Sequence, residues 1–300
     1  MRRLLITVLT ILVVSLIVFV MARVSGDPRT LLLDDYASQE DYDDLTVSLG
    51  LDKPLFTQYG IFLRRAIVLD FGDSVVDEQP VSDTILERFP ATLQLGLAAF
   101  IFSMVLGIPL GILSSVKRDS LWDHVGKVMA LLGQSMPPFW LGIMLMFFFA
   151  VTLGWVPPSG RFEWSSFILP AITLGWFTTA ANMRLVRSAM LTTLDSEYIK
   201  LARAKGVSET AIIWKHALKN AVIPPLTFMG VTLGTLVTGS IVAEAVFAWP
   251  GIGLLAFDAL RQSDYAMLQG IVIFFTLVYL GTSLAVDILY AYLDPRIRFA

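Results

Sequence analysis

The chain is 300 residues long, 56% hydrophobic and 16% charged, with a formal net charge of −3 and a mean hydropathy of +0.71. Soluble domains average about 45–50% apolar and about 25% charged residues, so the composition excludes an ordinary water-soluble domain and defines a polytopic membrane protein. Cysteine is absent, which excludes a disulfide framework and any thiolate metal site.

A hydrocarbon core about 30 Å thick takes about 20 apolar residues per helical crossing. Six segments meet that requirement: Leu4 to Ala22, Leu93 to Val116, Val125 to Leu153, Phe167 to Met183, Ala221 to Ala243 and Met267 to Tyr290. They predict an all-α fold of six transmembrane helices with no room for a second large soluble domain. The first apolar run, Leu4 to Met21, exceeds the roughly 7–15 residues of a signal-peptide core, so it is expected to stay as a helix anchored by Arg2 and Arg3.

The segment from Arg23 to Pro90 is too long for a simple connection. Within it, Leu55 to Leu69 sets Phe56, Tyr59, Phe62, Leu63 and Ile67 against Arg64 and Arg65 at helical spacing, predicting an amphipathic helix near the membrane surface. Asp34, Asp35, Glu40, Asp41, Asp43 and Asp44 form an acidic tract, read either as a solvated face or as a contact for a soluble partner or a cationic substrate. The chain therefore divides into 1–92, a helix with a structured external loop, and 93–300, a five-helix core with a polar loop at 195–219.

Pro137 and Pro138 are expected to break the third crossing, as a hinge or as an inert kink. Polar positions within the spans are candidates for lining a pathway: Gln134, Ser135, Asn182, Thr232, Thr235 and Thr238, with Thr173 and Thr179 beside them. The same residue types also bond helix to helix. Gly230, Gly234 and Gly239 suit close approach to a second membrane subunit. Glu244 reads as an external contact or a cap. Asp287, an acid deep in the last helix, is a candidate gate or an ion-pair partner of Arg296 and Arg298.

The polar island is the most telling part of the chain. Asp195 or Ser196 is placed to cap a helix carrying Glu197 in its first turn and Tyr198, Leu201 and Ala202 on one face. Gly206 ends it, because glycine reaches positive φ without a Cβ clash. Ser208 then caps a second helix with Glu209 at its start and Ile212, Ile213, Trp214 and Leu218 as its apolar stripe. Two rigid helices between membrane spans suit a lever for a moving partner, steered by Arg203, Lys205 and Lys215; the alternative is an amphipathic hairpin resting in the headgroups.

Lys and Arg hold short loops in the cytoplasm. With the N-terminus inside, 14 of the 22 basic residues face the cytoplasm and 18 of the 25 acidic residues face outward, so both termini are expected inside. His124 and His216 have no spaced partner and read as surface or capping residues. No phosphate-binding GxxxxGK[ST] loop, HExxH helix or GxSxG elbow occurs, so no covalent chemistry and no metal site is expected in this chain.

The stretch Glu197-Tyr198-Ile199 through Ala202-Arg203-Ala204-Lys205-Gly206, running on to His216, resembles the EAA loop of ABC importer permeases of the dipeptide, oligopeptide and nickel group. Ser25-Gly26-Asp27-Pro28, Phe71-Gly72-Asp73-Ser74, Pro137-Pro138-Phe139-Trp140-Leu141-Gly142, Pro158-Ser159-Gly160-Arg161, Val246 to Gly253 and Val286 to Arg298 support the likeness in order and spacing. The loop departs from the family where His-Ala-Leu-Pro-Asn becomes His216-Ala217-Leu218-Lys219-Asn220. Lys219 suits a helix C-terminus, so the second loop helix is expected to persist slightly longer.

The resemblance implies a type I permease in a prokaryotic inner membrane, one of two homologous membrane subunits. Two cytoplasmic ATPases would hold the ATP and Mg, with no cofactor in this chain, and an external binding protein would deliver peptides. It further implies that Glu197, Tyr198, Ala202, Arg203, Ala204, Lys205, Gly206 and His216 couple the ATPases to the spans. Nickel chelates, glutathione and oligosaccharides are the alternative cargoes. A secondary transporter or channel is the alternative class, although the chain offers no visible inverted repeat and only Asp287 as a buried coupling acid.

Overall fold

The computed structural model describes residues 2–25, 29, 33, 38–48 and 50–293. Among them there is no β-strand, only an isolated bridge between Asp73 and Pro80. The helices are α1 (Arg2–Ser25), α2 (Gln39–Ser48), α3 (Leu55–Ile67), α4 (Val81–Val116), α5 (Leu121–Ser135), α6 (Pro138–Leu145), α7 (Ile168–Leu194), α8 (Glu197–Ala204), α9 (Glu209–Ala221), α10 (Ile223–Val237), α11 (Ile241–Val246), α12 (Ile252–Arg261) and α13 (Tyr265–Leu293). The fold is all-α, and two compact units divide it: Met1–Ala91 with Gly251–Leu280, and Thr92–Pro250 with Gly281–Ala300.

In the first unit, Val81, Ile85, Ile252, Ala256, Met267 and Ile271 form a buried apolar cluster, with Phe89 and Phe274 edge to face at 5.0 Å. Buried Asp264 accepts from Ser74 Oγ at 2.5 Å and from the Met267 amide at 3.0 Å, so it caps α13 while tying the 70–80 segment to it. The amphipathic helix forms as α3 and packs along the second half of α1, where Tyr59 Oη is 2.9 Å from Ser15 Oγ and donates to the Leu12 carbonyl at 3.1 Å. Glu40, Asp41, Asp43 and Asp44 lie on α2, whereas Asp34 and Asp35 fall outside the described residues.

In the second unit α7 is the axis, packing against α5, α6, α8, α9, α10 and α11. Glycines set how closely its neighbours approach. A Cβ at Gly107 would stand 2.9 Å from Asn182 Cβ, and one at Gly111 would stand 2.7 Å from the Met183 carbonyl oxygen, so α4 and α7 touch backbone to backbone. A Cβ at Gly96 would collide with the Leu236 carbonyl. Close approach along α10 is thus used inside the chain, and buried Gly234 lies on that same helix.

The expected crossings take three forms. Leu5–Val24, Val81–Val116 and Tyr265–Leu289 are continuous helices long and apolar enough to span. The third crossing is not a single rod: α5 and α6, which runs on as a π-helical turn Met146–Thr152, are bent by 112°. Met136 and Pro137 are extended, because each precedes a proline, and Pro138 opens α6. The fifth crossing is shorter than expected. The chain of α10 stops at Val237, ahead of Gly239 at φ +77, and bends by 50° from α9 at the Pro224–Pro225 step. At about 1.5 Å per residue its 15 residues give roughly 22 Å, short of a membrane core. The fourth, α7, runs 27 residues without a break, straight into the polar loop.

Candidate functional site

Asp195 ends α7, and Ser196 takes the N-cap position of α8, but its hydroxyl donates back to the Thr193 carbonyl at 2.5 Å instead of capping. The turn that follows is a Schellman motif. The Gly206 amide donates to the Arg203 carbonyl at 2.9 Å and the Val207 amide to the Ala202 carbonyl at 3.1 Å, with Gly206 at φ +80. No atom lies within 4 Å of a Cβ placed on Gly206, so the backbone angle alone demands glycine. Ser208 caps α9, accepting from the Ala211 amide at 3.4 Å.

The loop is welded to the spans. Ile199, Ile212 and Ala217 are fully buried with Ile112 of α4 and with Val186, Met190 and Leu194 of α7. Ala202, Val207, Ile213 and Leu218 pack around them. Burying each large aliphatic contributes about 1.5–3 kcal/mol, enough for the hairpin to move as one piece with the end of α7.

Two expected faces are corrected. On α8 the buried face is Ile199 with Ala202, while Tyr198 and Leu201 are 45% and 56% exposed. On α9, Trp214 is 59% exposed. Residues Ile212–Ala217 form a π-helical turn, whose wider coil brings positions five apart, Ile212 and Ala217, onto the buried side. Tyr198, Leu201 and Trp214 therefore stand as apolar groups on the outside of a rigid hairpin, and Asn220 Nδ2 donates to Tyr198 Oη at 2.9 Å across it.

Arg203 is also placed differently. Its Nε and Nη2 donate to Glu209 Oε1 and Oε2 at 2.8 and 3.3 Å, clasping the two helices across Gly206. The guanidinium holds the Glu209 carboxyl below its ordinary pKa and is itself raised by the carboxylate. Glu197 pairs with Lys200 at 2.8 Å. Ala204 and Lys205 are exposed, and His216 is half-buried.

The base of α7 carries a group the sequence reading missed. Asp123 is fully buried and takes Arg187 Nε and Nη2 at 2.7 and 2.9 Å, Lys127 Nζ at 2.8 Å, the Asp119 amide at 3.0 Å and the Ser114 hydroxyl. One carboxylate thus joins the end of α4, the start of α5 and α7, two turns before the loop. Asp123 with Lys127 at i+4 and Arg187 three residues after Arg184 are the only traces of it in the sequence.

The pathway candidates do not converge. Thr232, Thr235 and Thr238 donate to carbonyls of their own helix at 2.7–3.2 Å, and Ser135 does likewise at 2.9 Å. Gln134 accepts from Arg184. Asn182 is fully buried, with neither amide atom hydrogen-bonded among the described residues. Glu244 is fully buried and accepts from Thr92 Oγ1 at 3.0 Å, so it is no external contact. Asp287 is half-buried on α13; its expected partners Arg296 and Arg298 lie outside the described residues.

An all-α chain with several apolar spans and a rigid polar hairpin continuous with its central helix is a membrane transport subunit. Residues 107–299 match the family described as binding-protein-dependent transport system inner membrane component, residues 1–96 match the corresponding N-terminal family, and the chain belongs to this family. It is 40% identical over 299 residues, 99% of this chain and 98% of the relative, to the glutathione transport system permease protein GsiC of Salmonella choleraesuis. It is 39% identical with the same coverage to GsiC of Escherichia coli K12. Among solved structures, a chain of the MetNI methionine ABC transporter in an inward-facing conformation aligns with a TM-score of 0.58 at 23% identity, covering 70% of this chain and 96% of that one. The fold is that of a type I ABC permease, and the chain is a multi-pass inner-membrane permease component of an ABC importer.

Proposed function

We propose that this permease carries glutathione or similarly small peptides, with a second permease forming the other half of the path. Di- and oligopeptides were the leading cargo from the sequence; the GsiC relatives, similar over 99% of the chain, favour the tripeptide glutathione within the same chemical class. In this reading both termini and the 195–219 loop are cytoplasmic, an external binding protein delivers the cargo, and two partner ATPases bind ATP and Mg. Hydrolysis belongs to those partners.

The observation that carries the mechanism is the continuity of α7 with the α8–α9 hairpin, fixed by the buried Ile199–Ile212–Met190 cluster. A partner closing on ATP pushes the exposed Tyr198, Leu201 and Trp214 surface, and α7 transmits the displacement into the spans. Coupling requires only that the two global states bind the partner and cargo differently. The 112° break at Pro137–Pro138 and the half-buried Asp287 are the candidate hinge and gate. Gln134, Ser135, Asn182, Thr232, Thr235 and Thr238 would meet cargo only after the packing seen here opens.

The test is ATP-dependent uptake of labelled glutathione and of di- and tripeptides into proteoliposomes holding the assembled transporter and its binding protein. Uptake of glutathione above the peptides supports the reading. Uptake of neither, with nickel chelates or oligosaccharides entering instead, replaces it.

A further inference from the structure

The transport reading leaves unused a cavity of about 250 Å³ in the first unit. Its walls come from the end of α1, from α3, from residues 70–75 and from the first turn of α13, and Phe19, Arg23, Gln58, Arg65, Asp70 and Tyr265 carry its chemistry. Two spans end here: Leu5–Val24 finishes just past Arg23, and Tyr265–Leu289 starts at Tyr265. A cavity flanked by two span ends lies where hydrocarbon gives way to headgroups, the level at which Tyr and basic side chains anchor.

Gln58 is the unusual member. It is only 8% exposed, and its Nε2 donates to the Leu51 and Lys53 carbonyls at 3.3 and 2.8 Å. Those two acceptors fix which end of the amide is which. Its Oε1 is buried with no hydrogen-bond partner among the described residues. Buried acceptors in native structures are nearly always paired, so this one requires an N–H or O–H from outside the chain. Seven residues on, about 10 Å along the same face of α3, Arg65 Nε stands 4.0 Å from Asp70 Oδ2, with both side chains more than half exposed. So loose a pair leaves guanidinium donors for an anionic group. The Arg23 guanidinium adds a second positive charge, 5.5 Å from the centroid of the Phe19 ring.

We propose that this cavity holds the zwitterionic headgroup of an aminophospholipid. Its phosphodiester lies against Arg65 and Arg23, and its ammonium donates to Gln58 Oε1. Drug-sized ligands occupy pockets of about 300–1,000 Å³, so the volume suits a headgroup better than an entire peptide. Bound there, the lipid ties the ends of α1 and α13 to α3.

Native mass spectrometry tests this on the full chain purified with its partner subunits, delipidated and titrated with phosphatidylethanolamine or phosphatidylcholine. The two lipids share charge, but the choline nitrogen has no N–H. Wild type is expected to retain phosphatidylethanolamine about fivefold better, the effect of one hydrogen bond. Gln58→Leu should erase that preference, and Arg65→Gln should weaken both lipids. Competition by glycerophosphoethanolamine assigns the site to the headgroup alone; failure to compete while the preference stands assigns it to membrane lipid. Equal retention of the two lipids by wild type, or a preference that survives Gln58→Leu, overturns the proposal. Arg65 is exposed and its substitution leaves the core untouched, so unchanged retention in Arg65→Gln overturns it independently.

Discussion

Arg187 grips Asp123 with two guanidinium nitrogens, at 2.7 and 2.9 Å, where the central helix nears the polar loop. The carboxylate is fully buried, so its charge depends on that grip. Removing one partner of a buried pair typically costs about 3–5 kcal/mol because the other charge is stranded. Arg187→Met should lower stability in detergent by that order, with Lys127 softening the loss. Arg187→Lys should cost less, and the double variant Asp123→Leu, Arg187→Met should recover most of the deficit. Thermal unfolding of the four proteins in one detergent measures this double-mutant cycle.

Gly206 sits at φ +80 with open space beyond it. Gly206→Ala should therefore cost about 1–2 kcal/mol, the penalty of a left-handed residue with a Cβ, and Gly206→Asn less. Hydrogen exchange at the Val207 amide, which closes the turn, reports the loss directly.

The Arg203–Glu209 clasp should weaken in acid. The folded pKa of Glu209 lies below its unfolded value, so the stabilisation is complete above the unfolded pKa and is lost as pH falls through the folded one. Both groups are exposed, so salt should weaken the clasp as well. Exchange rates of the 203–209 amides should rise on acidification from neutral pH and in high salt, and Glu209→Gln should remove both dependences.

Two glycine substitutions should act with opposite sign. Gly96→Ala drives a Cβ into the Leu236 carbonyl, forcing α4 and α10 apart at about 1–3 kcal/mol. Gly60→Ala, inside α3 with nothing within 4 Å, should stabilise by about 0.5–1 kcal/mol. Unfolding midpoints of the two variants in detergent decide the signs.

Local signals carried much of this architecture. Apolar runs located the spans, the Pro137–Pro138 pair located the 112° break, and Gly206 with Ser208 located the turn and cap of the hairpin. What sequence missed depends on what packs against what. Tyr198 and Ile199 are neighbours with similar polarity, and only the position of α4 and α7 decides that Ile199 goes inside. The π-helical turn moved Trp214 outward because periodicity assumes an α-helical pitch. Arg203 read as a steering charge because its partner lies across a turn whose geometry the sequence does not state. Asp123 and Arg187 are 64 residues apart, and nothing local links them.

The most direct test of the account is co-purification from mild detergent of this chain with its ATPase, comparing wild type with a Tyr198→Asp, Leu201→Asp, Trp214→Asp variant and with Ile199→Val as a packing control. The account predicts that the wild type and the Ile199→Val control retain the ATPase, while the surface variant loses it yet stays inserted and folded. Full retention of the ATPase by the folded surface variant would contradict the assignment of this hairpin as the docking lever.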